Sequence, residues 1–262
     1  MSGLPEIVGN NQLKLLYIVN ELWKGRIIWR DEVKTIGLIG GMSWESTIEY
    51  YRLINEEVKR KFGGLHSAKC ILYSVDFHEI ERFQVEGNWE KAGESIKDVA
   101  LALEKAGADF IVICSNTMHK VINYIEDKIN IPILHIADAT ARKIQKSNIN
   151  TVGLLGTKYT MEQDFYKSKM EANGIKVIVP EKDDIERINK VIFEELCLGK
   201  IKQKSKDYYK RIIENLVNKG AQGIILGCTE IGLLTNSEDS DVPIYDTAKI
   251  HAIESVNLAT EQ

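Results

Sequence analysis

The sequence predicts an α/β fold of two similar units, each built on a parallel sheet. Short apolar runs that end at glycine alternate with segments of helical periodicity, which is the pattern of strands and helices in such sheets. One stretch occurs twice, around Ser115 and again around Cys228 (228 − 115 = 113). Residues 35–40 match residues 151–156 at nearly the same offset (151 − 35 = 116). These two matches indicate a duplicated unit, whereas a solenoid would need at least three repeats.

The elements of the first unit follow from apolar runs, glycines and capping residues. Strands are predicted over residues 35–39, 70–75, 110–114 and 132–136. Helices are predicted from residue 46 or 47 to about residue 61, and over residues 89–106. The stretch before the second helix, which holds Arg82, Gln84 and Gly87, is predicted to be a loop.

The second unit repeats the alternation. Strands are predicted over residues 151–155, 176–179 and 243–245, and a further strand is the apolar run that ends at Gly227. One helix is predicted to follow residue 160 and to end near residue 172. Further helices are predicted over residues 183–196, 204–219 and 247–259.

The domain organisation follows from the repeat. Residues 1–34 lie outside it and are interpreted as an N-terminal extension. An amphipathic helix is predicted there, from the apolar residues Leu13, Leu16, Tyr17, Val19, Leu22 and Trp23. The first domain is predicted over residues 35–137, with the C-terminal helix of residues 246–262 packing back on it. The second domain is predicted over residues 138–245.

Composition narrows the class of protein. The chain has 262 residues, 44% of them hydrophobic, and a net charge of −4, so neither a nucleic-acid partner nor a membrane surface is expected. No apolar run approaches the roughly 18 residues of a membrane span, and no signal peptide is evident. The four cysteines show no metal-ligand spacing, so reduced thiols and a cytoplasmic location are expected.

Cys228 is the leading candidate for chemistry. It follows a predicted buried strand, and ligands bind at the carboxyl ends of strands in open α/β sheets. A helix that starts just after it would favour the thiolate, although a free cysteine more often only packs. If the two units pack about a pseudo-two-fold axis, Ser115 faces Cys228 across the cleft. The glycine-rich stretch at residues 40–43 matches no phosphate-binding motif, so no nucleotide, metal or other cofactor is expected.

Three motifs give the chain a specific resemblance. They are Gly40-Gly41-Met42-Ser43, Cys114-Ser115-Asn116-Thr117-Met118-His119 and Leu226-Gly227-Cys228-Thr229-Glu230. In these motifs the chain resembles the aspartate/glutamate racemases of the Asp/Glu/hydantoin racemase superfamily, over residues 35–259. The resemblance implies two Rossmann-like domains with the active site between them, a homodimer, and catalysis without a cofactor.

The chain departs from that family at one position. Family members carry a cysteine where this chain has Ser115, and the chain looks most like a subgroup with a hydroxyl residue there. Cys114 lies one residue earlier, and because side chains alternate along a strand, it is predicted to point away from the site. A one-residue bulge would bring it round.

The resemblance also implies roles for other residues. Cys228 and Ser115 would be catalytic, and the substrate-binding residues would be Met42, Gln84, Asn116, Thr117, Thr229 and Arg187. Gln84 falls where the family has an arginine for the distal carboxylate, and Arg187 falls where it has a lysine. Arg82 and Lys158 are alternatives for that charge. Asn116, Thr117 and Thr229 would equally suit helix capping, and His119 would suit a buried helix position.

The expected function is therefore racemisation of aspartate or glutamate by proton transfer on the two faces of the α-carbon. Such a reaction needs a base on one face and an acid on the other. Two alternatives stay open. One is a single-cysteine decarboxylase or cis-trans isomerase of the same superfamily, and the other is a non-catalytic protein that binds an amino acid.

Overall fold

The structure, a computed structural model, describes residues 33–261 and contains two parallel sheets. The helix predicted between Leu13 and Trp23 lies outside the described residues. Among the residues described, no helix is long and apolar enough to cross a membrane.

Within residues 33–261, seven strands form the two sheets. They are β1 (Ile36–Gly40), β2 (Cys70–Ser74), β3 (Phe110–Ile113), β4 (Thr151–Gly156), β5 (Lys176–Ile178), β6 (Ile224–Gly227) and β7 (Ile244–Asp246). The first sheet has the order β2-β1-β3 and the second β5-β4-β6-β7, with all pairs parallel. Each half of the chain thus places its first strand in the centre, its second at one edge and its third on the other side. This shared order is the structural counterpart of the sequence repeat.

Ten α-helices surround the sheets. They are α1 (Trp44–Phe62), α2 (Phe77–Val85), α3 (Trp89–Lys105), α4 (Ile136–Gln145), α5 (Lys158–Glu162), α6 (Asp164–Ala172), α7 (Lys182–Glu194), α8 (Gln203–Asn218), α9 (Ile231–Leu234) and α10 (Thr247–Thr260) within the described residues 33–261. Short 3₁₀ segments cover Thr117–Tyr124, Leu196–Leu198 and Ser237–Asp239. Several helices begin at residues whose side chains accept a backbone N–H of the first turn, as Ser43, Asp76 and Asn88 do.

The predicted strand over residues 132–136 was wrong. Only an isolated parallel bridge forms there, between Ile111 and Ile133, and α4 already begins at Ile136. The side chain of His135 accepts the N–H of Ala137 and so starts that helix. The bridge occupies the place next to β3 that β7 occupies next to β6, because the chain turns into a helix before a second ladder pair can form.

Two further boundaries differ from the prediction. The stretch predicted as a loop around Gln84 is the helix α2, which Asp76 caps by accepting the N–H of His78. The helix predicted to end near residue 172 is broken at Gln163, which has an extended backbone between α5 and α6. A two-turn helix with a largely exposed face carries little periodic signal, which is why α2 was missed.

The buried side chains form clusters on both sides of the sheets. The cluster of the second half includes Leu154 and Leu226 from its sheet and Ile188 from α7. Helix α10, although last in sequence, contributes Ala252 and Val256 to a cluster with β1, β3 and α1. The C-terminal helix therefore packs on the first half, while the exact domain limits stay a prediction.

Candidate functional site

One cavity of about 380 Å³ opens at the carboxyl ends of four strands, two from each sheet. Met42 follows β1, Ser115 follows β3, Thr157 follows β4 and Cys228 follows β6. The lining residues are Met42, Phe77, Gln84, Ser115, Asn116, Thr117, Thr157, Ile192, Phe193, Cys197, Gly227, Cys228, Thr229 and Glu230. The structure thus brings all the predicted site residues together except Arg187.

Ser115 and Cys114 lie on opposite faces of the chain at the end of β3. Ser115 lines the cavity and its Oγ accepts a long hydrogen bond, 3.4 Å, from the N–H of Met118. Cys114 is fully buried in the core beside Leu38 and Tyr50, as strand alternation predicted. Burial raises the pKa of the Cys114 thiol far above its ordinary value. No bulge brings its sulfur into the cavity.

Asn116 and Thr117 join the two halves of the chain. The Asn116 amide donates to Oγ1 of Thr247 at 2.9 Å, and that hydroxyl donates to the carbonyl of Leu226 at 2.7 Å. The hydroxyls of Thr117 and Thr157 share a hydrogen bond of 3.0 Å. Oδ1 of Asn116 is buried and has no partner among the described residues, although it belongs to a cavity-lining side chain. A buried acceptor left without a donor is costly, so this atom is suited to a donor on a bound molecule.

Cys228 is held as a thiol. Its Sγ lies 2.9 Å from Oε2 of Glu230 and donates to it, and only 7% of the residue is exposed. Burial, followed by the negative charge of Glu230, raises the pKa of Cys228 well above its ordinary value. The prediction that a helix N-terminus favours the thiolate was wrong. Helix α9 has only four residues and begins at Ile231, so its dipole is small beside a neighbouring carboxylate.

Glu230 is one residue of this site to which sequence reasoning assigned no role. Its carboxylate accepts hydrogen bonds from Ser43 at 2.7 Å and Ser46 at 2.6 Å, in addition to Thr229 at 2.8 Å and the thiol of Cys228. The residue is only 3% exposed. Both serines come from the first half of the chain, so adjacency to Cys228 was the one available signal. Four donors on one buried carboxylate fix it firmly beside the sulfur.

The glycine-rich stretch after β1 positions this serine pair. Gly41 has a φ of 92°, and a Cβ there would lie 2.1 Å from the carbonyl oxygen of Val75. Its N–H donates to Oγ1 of Thr47 at 2.9 Å. The chain can therefore turn tightly, so that Ser43 caps α1 and Met42 reaches the cavity. Gly41 thus allows a close backbone approach that a side chain would prevent.

The predicted cation for a substrate carboxylate is not in the cavity. Arg187 lies on α7, but its guanidinium stacks 3.9 Å from the ring centre of Tyr208. The same helix turns Ile192 and Phe193 toward the cavity, which leaves Arg187 on a different face. Lys158 forms a surface ion pair with Glu186. Arg82, on α2, lies over the ring of Phe83.

Gln84 is buried in the lining. Its Nε2 donates to the sulfur of Met118 at 3.2 Å, and its backbone carbonyl accepts the hydroxyl of Tyr159 at 3.2 Å. Helix α2 and helix α5 are thereby linked across the two halves of the chain. Beside Gln84, the rings of Phe77 and Phe193 stack with centroids 6.5 Å apart. Cys197, a second thiol, also lines the cavity, and neither it nor the aromatic pair was predicted.

His119 supports the backbone at Ser115. Its Nε2 accepts the N–H of Ile136 at 3.1 Å, so Nδ1 carries the proton and donates to the carbonyl of Ser115 at 2.7 Å. Burial lowers the pKa of His119 to about 4. The ring packs against His135 and His251, at centroid distances of 4.6 and 5.7 Å. Among residues 33–261, no group of three or more His, Cys, Asp or Glu side chains is arranged to hold a metal ion.

Comparison with known proteins gives consistent matches. Residues 39–254 match a family model described as Asp/Glu/Hydantoin racemase. The chain is 24% identical over 225 residues to the broad specificity amino-acid racemase RacX of Bacillus subtilis, covering 85% of this chain and 96% of that protein.

Two solved structures match over nearly the whole described chain. An Asp/Glu racemase candidate from Yersinia pestis is 55% identical, with a TM-score of 0.81, covering 87% of this chain and 100% of that one. An aspartate racemase homologue from Pyrococcus horikoshii is 39% identical, with a TM-score of 0.76 and the same two coverages.

Proposed function

This chain belongs to the Asp/Glu/hydantoin racemase family, and from that premise we propose that it is an amino-acid racemase that exchanges the α-proton between Cys228 and Ser115. The observation that carries the proposal is the shared cavity. Ser115 and Cys228 follow equivalent strands, β3 and β6, of the two sheets. Two halves related by a pseudo-two-fold axis would bring these residues to opposite sides of a bound molecule, as racemisation requires.

On one face, Glu230 would act with Cys228. The thiol proton moves to Oε2 of Glu230 along the existing hydrogen bond of 2.9 Å, and the sulfur then takes the α-proton. The pair carries one negative charge before and after this transfer, so no second buried charge is created.

On the other face, Ser115 would supply the proton. A hydroxyl is a far weaker acid than a thiol, so Ser115 relays a proton from solvent to the carbanion, and Glu230 returns the proton it accepted to solvent. Ser115 then ends as a hydroxyl and Glu230 as a carboxylate. The hydrogen bond from Met118 leaves the Ser115 proton free to point into the cavity. His119 donates a hydrogen bond to the backbone carbonyl of Ser115 and so fixes the backbone that carries the hydroxyl.

The amino-acid backbone of the substrate would bind at the strand ends. The unpartnered Oδ1 of Asn116 is suited to accept from the α-ammonium group. The hydroxyl of Thr117, which shares one hydrogen bond with Thr157, is suited to the α-carboxylate and to the charge that develops on it. The hydroxyl of Thr229 already donates to Glu230, so Thr229 would contact the substrate from the same end of the cavity without donating to it. Asp and Glu are the substrates that the family resemblance implies, but their side-chain carboxylate needs a partner that Gln84 and Arg187 do not supply as they stand.

We propose in addition that the reaction needs no cofactor and that the chain forms a homodimer. Acid and base are both side chains of the cavity, so dialysis against a chelator should leave the rate unchanged.

The homodimer would form through helix α1. Trp44, Ile48 and Tyr51 form an exposed apolar stripe on α1, each more than half exposed. A stripe at such spacing is a suitable face for a second copy, which sedimentation would test.

A single-cysteine decarboxylase or cis-trans isomerase is the second candidate, because Ser115 replaces the thiol that the family carries. Such an enzyme would act on a dicarboxylate and would not exchange the α-proton of an amino acid with solvent. A non-catalytic binding protein would catalyse neither the reaction of a dicarboxylate nor this exchange. Incubation of amino acids with the enzyme in D₂O, followed by NMR of the α-proton, separates these functions. Exchange accompanied by the opposite enantiomer is expected, and binding without exchange would contradict the proposal.

A further inference from the structure

We propose that the cavity is specific for an α-amino acid whose side chain carries no charge, instead of a dicarboxylic one. The inference rests on the proposed function and concerns the part of the substrate that function leaves open. It starts from the chemistry of the cavity wall.

The lining divides into two chemical parts. Most polar members come from the strand ends, where Ser115 and Cys228 would meet the α-carbon, and Gln84 comes from α2. The apolar members come from α2, α7 and the turn after β1, and they are Phe77, Ile192, Phe193 and Met42. A substrate held by its backbone at the strand ends therefore directs its side chain toward an apolar wall. Burial of an uncharged side chain against that wall is favourable, whereas a carboxylate there would lose its hydration.

No cation offsets that loss. Among the described residues, no Lys, Arg or His side chain lines the cavity. Three cations on α5 and α7 have other partners: Arg187 the ring of Tyr208, Lys158 the carboxylate of Glu186, and Lys190 that of Glu194 at 3.7 Å. A carboxylate buried without a partner is strongly disfavoured, so the missing cation discriminates against aspartate and glutamate.

The carboxylates in and beside the cavity also disfavour a dicarboxylic substrate. Glu230 already places a buried carboxylate in the lining. A neighbouring cavity of about 900 Å³ shares Gln84 and Phe193 with the first, and its remaining charged members include Glu81, Glu186 and Glu194 against a single lysine. An approaching dicarboxylate would meet a surface of its own sign, although solvent screens these exposed groups.

Gln84 is the residue that sets this preference. It lines both cavities and is only 4% exposed, so it stands where a side chain would pass from one to the other. One N–H of its amide is already used by the sulfur of Met118. An amide can hydrogen-bond an uncharged group of a substrate but cannot neutralise a carboxylate.

The test compares isosteres that differ in charge alone. Exchange of the α-proton in D₂O is measured for glutamine against glutamate, asparagine against aspartate, and methionine and lysine. We expect kcat/KM for each amide to exceed that for its acid by about 100-fold or more. Equal or faster exchange of the acids would overturn the inference while leaving the racemase intact, and faster exchange of lysine than of methionine would overturn it too. Exchange with none of these substrates would overturn the proposed function and this inference together.

A charge placed in the wall tests the role of Gln84. Gln84→Arg should raise the glutamate-to-glutamine ratio of kcat/KM by at least about tenfold, because a guanidinium can hold a carboxylate bidentately. Val85→Arg is the matched control: Val85 lines only the outer cavity and is exposed, so the same charge there should leave the ratio within about twofold. Circular dichroism establishes that each variant is folded. A folded Gln84→Arg variant with an unchanged ratio, or an equal gain in both variants, would overturn the assignment of Gln84.

Discussion

The thiol of Cys228 and the carboxylate of Glu230 are joined by a hydrogen bond of 2.9 Å within one turn of chain. The same carboxylate is held by Ser43 and Ser46, which lie 187 and 184 residues away in sequence. The sulfur of the second half is thus positioned by a helix of the first half. Any movement between the halves would alter the environment of the thiol.

Replacement of this carboxylate by an amide should separate charge from shape. Glu230→Gln keeps the size of the side chain but removes the group that would take the thiol proton, so kcat should fall about 100-fold. The pKa of Cys228 should fall as well, because the charge of Glu230 is one of the two largest causes of its elevation. Steady-state kinetics measures the first effect, and the pH dependence of Cys228 alkylation, followed by mass spectrometry, measures the second.

Glu238→Gln is the control for that change. Glu238 is exposed on the Ser237–Asp239 segment, and its replacement alters net charge by the same amount. It should change neither kcat nor the alkylation profile. An unchanged kcat in Glu230→Gln would remove Glu230 from the mechanism, since a merely structural carboxylate would leave the rate alone once the protein is folded.

Substitutions at the neighbours Ser115 and Cys114 should distinguish a residue that the reaction needs from one that only packs in the core. Ser115→Ala removes the Ser115 hydroxyl from the cavity. It should reduce the rate of racemisation at least about 100-fold with little loss of stability. Cys114→Ala should retain the activity of the folded protein but lower the free energy of unfolding by about 1 kcal/mol, because it leaves a gap in the core. Kinetics and denaturant titration of both variants make the comparison. Full activity in Ser115→Ala would leave Ser115 as a helix-capping residue only.

Three histidines, of which His119 and His251 are buried and His135 is partly buried, should make the fold sensitive to mild acid. Burial lowers the pKa of His119 to about 4, of His251 to about 3 and of His135 to about 2, from an ordinary value of 6.5. The unfolded chain therefore binds more protons than the folded one below about pH 6.5, and stability falls as the pH falls. Each histidine contributes a slope of about 1.4 kcal/mol per pH unit once the unfolded state is protonated. Urea unfolding at pH 7, 6 and 5 measures this slope.

His135→Asn isolates one of these protons. Asparagine can keep the cap at the start of α4, which His135 provides by accepting the N–H of Ala137, but it does not titrate. Between pH 6 and 5, the slope of the unfolding free energy against pH should fall by about 1.4 kcal/mol per pH unit, the contribution of one proton. The same change at the exposed His78 should leave the slope unaltered. A slope in His135→Asn equal to that of the parent chain would mean that His135 is already protonated in the fold.

The sequence predicted that Ser115 and Cys228 follow equivalent strands, because the repeat around each of them is a local pattern. Strand alternation is also local, and it was enough to direct Cys114 into the core and Ser115 away from it. A glycine at the end of the apolar run marked where β1, β4 and β6 stop. The shared strand order of the two sheets then followed from the duplication.

The environment of Cys228 could not be predicted in the same way. The elevated pKa arises from burial and from Glu230, whose other partners are serines of a distant helix. A sequence offers no measure of how two sheets approach. Arg187 shows the same limit, because its place on α7 depends on which face of that helix meets the cavity, and the ring of Tyr208 lies on the other side.

The central claim is that Cys228 transfers the α-proton, and exchange in D₂O tests it most directly. Cys228→Ala should lose both α-proton exchange and formation of the opposite enantiomer, while Cys70→Ala, at a half-buried thiol of β2 that does not line the cavity, should retain both. Thermal unfolding should show that both variants are folded. With methionine as substrate and NMR of the α-proton as the readout, we expect no deuterium incorporation in Cys228→Ala and incorporation at the parent rate in Cys70→Ala. Incorporation at the parent rate in folded Cys228→Ala would contradict the account.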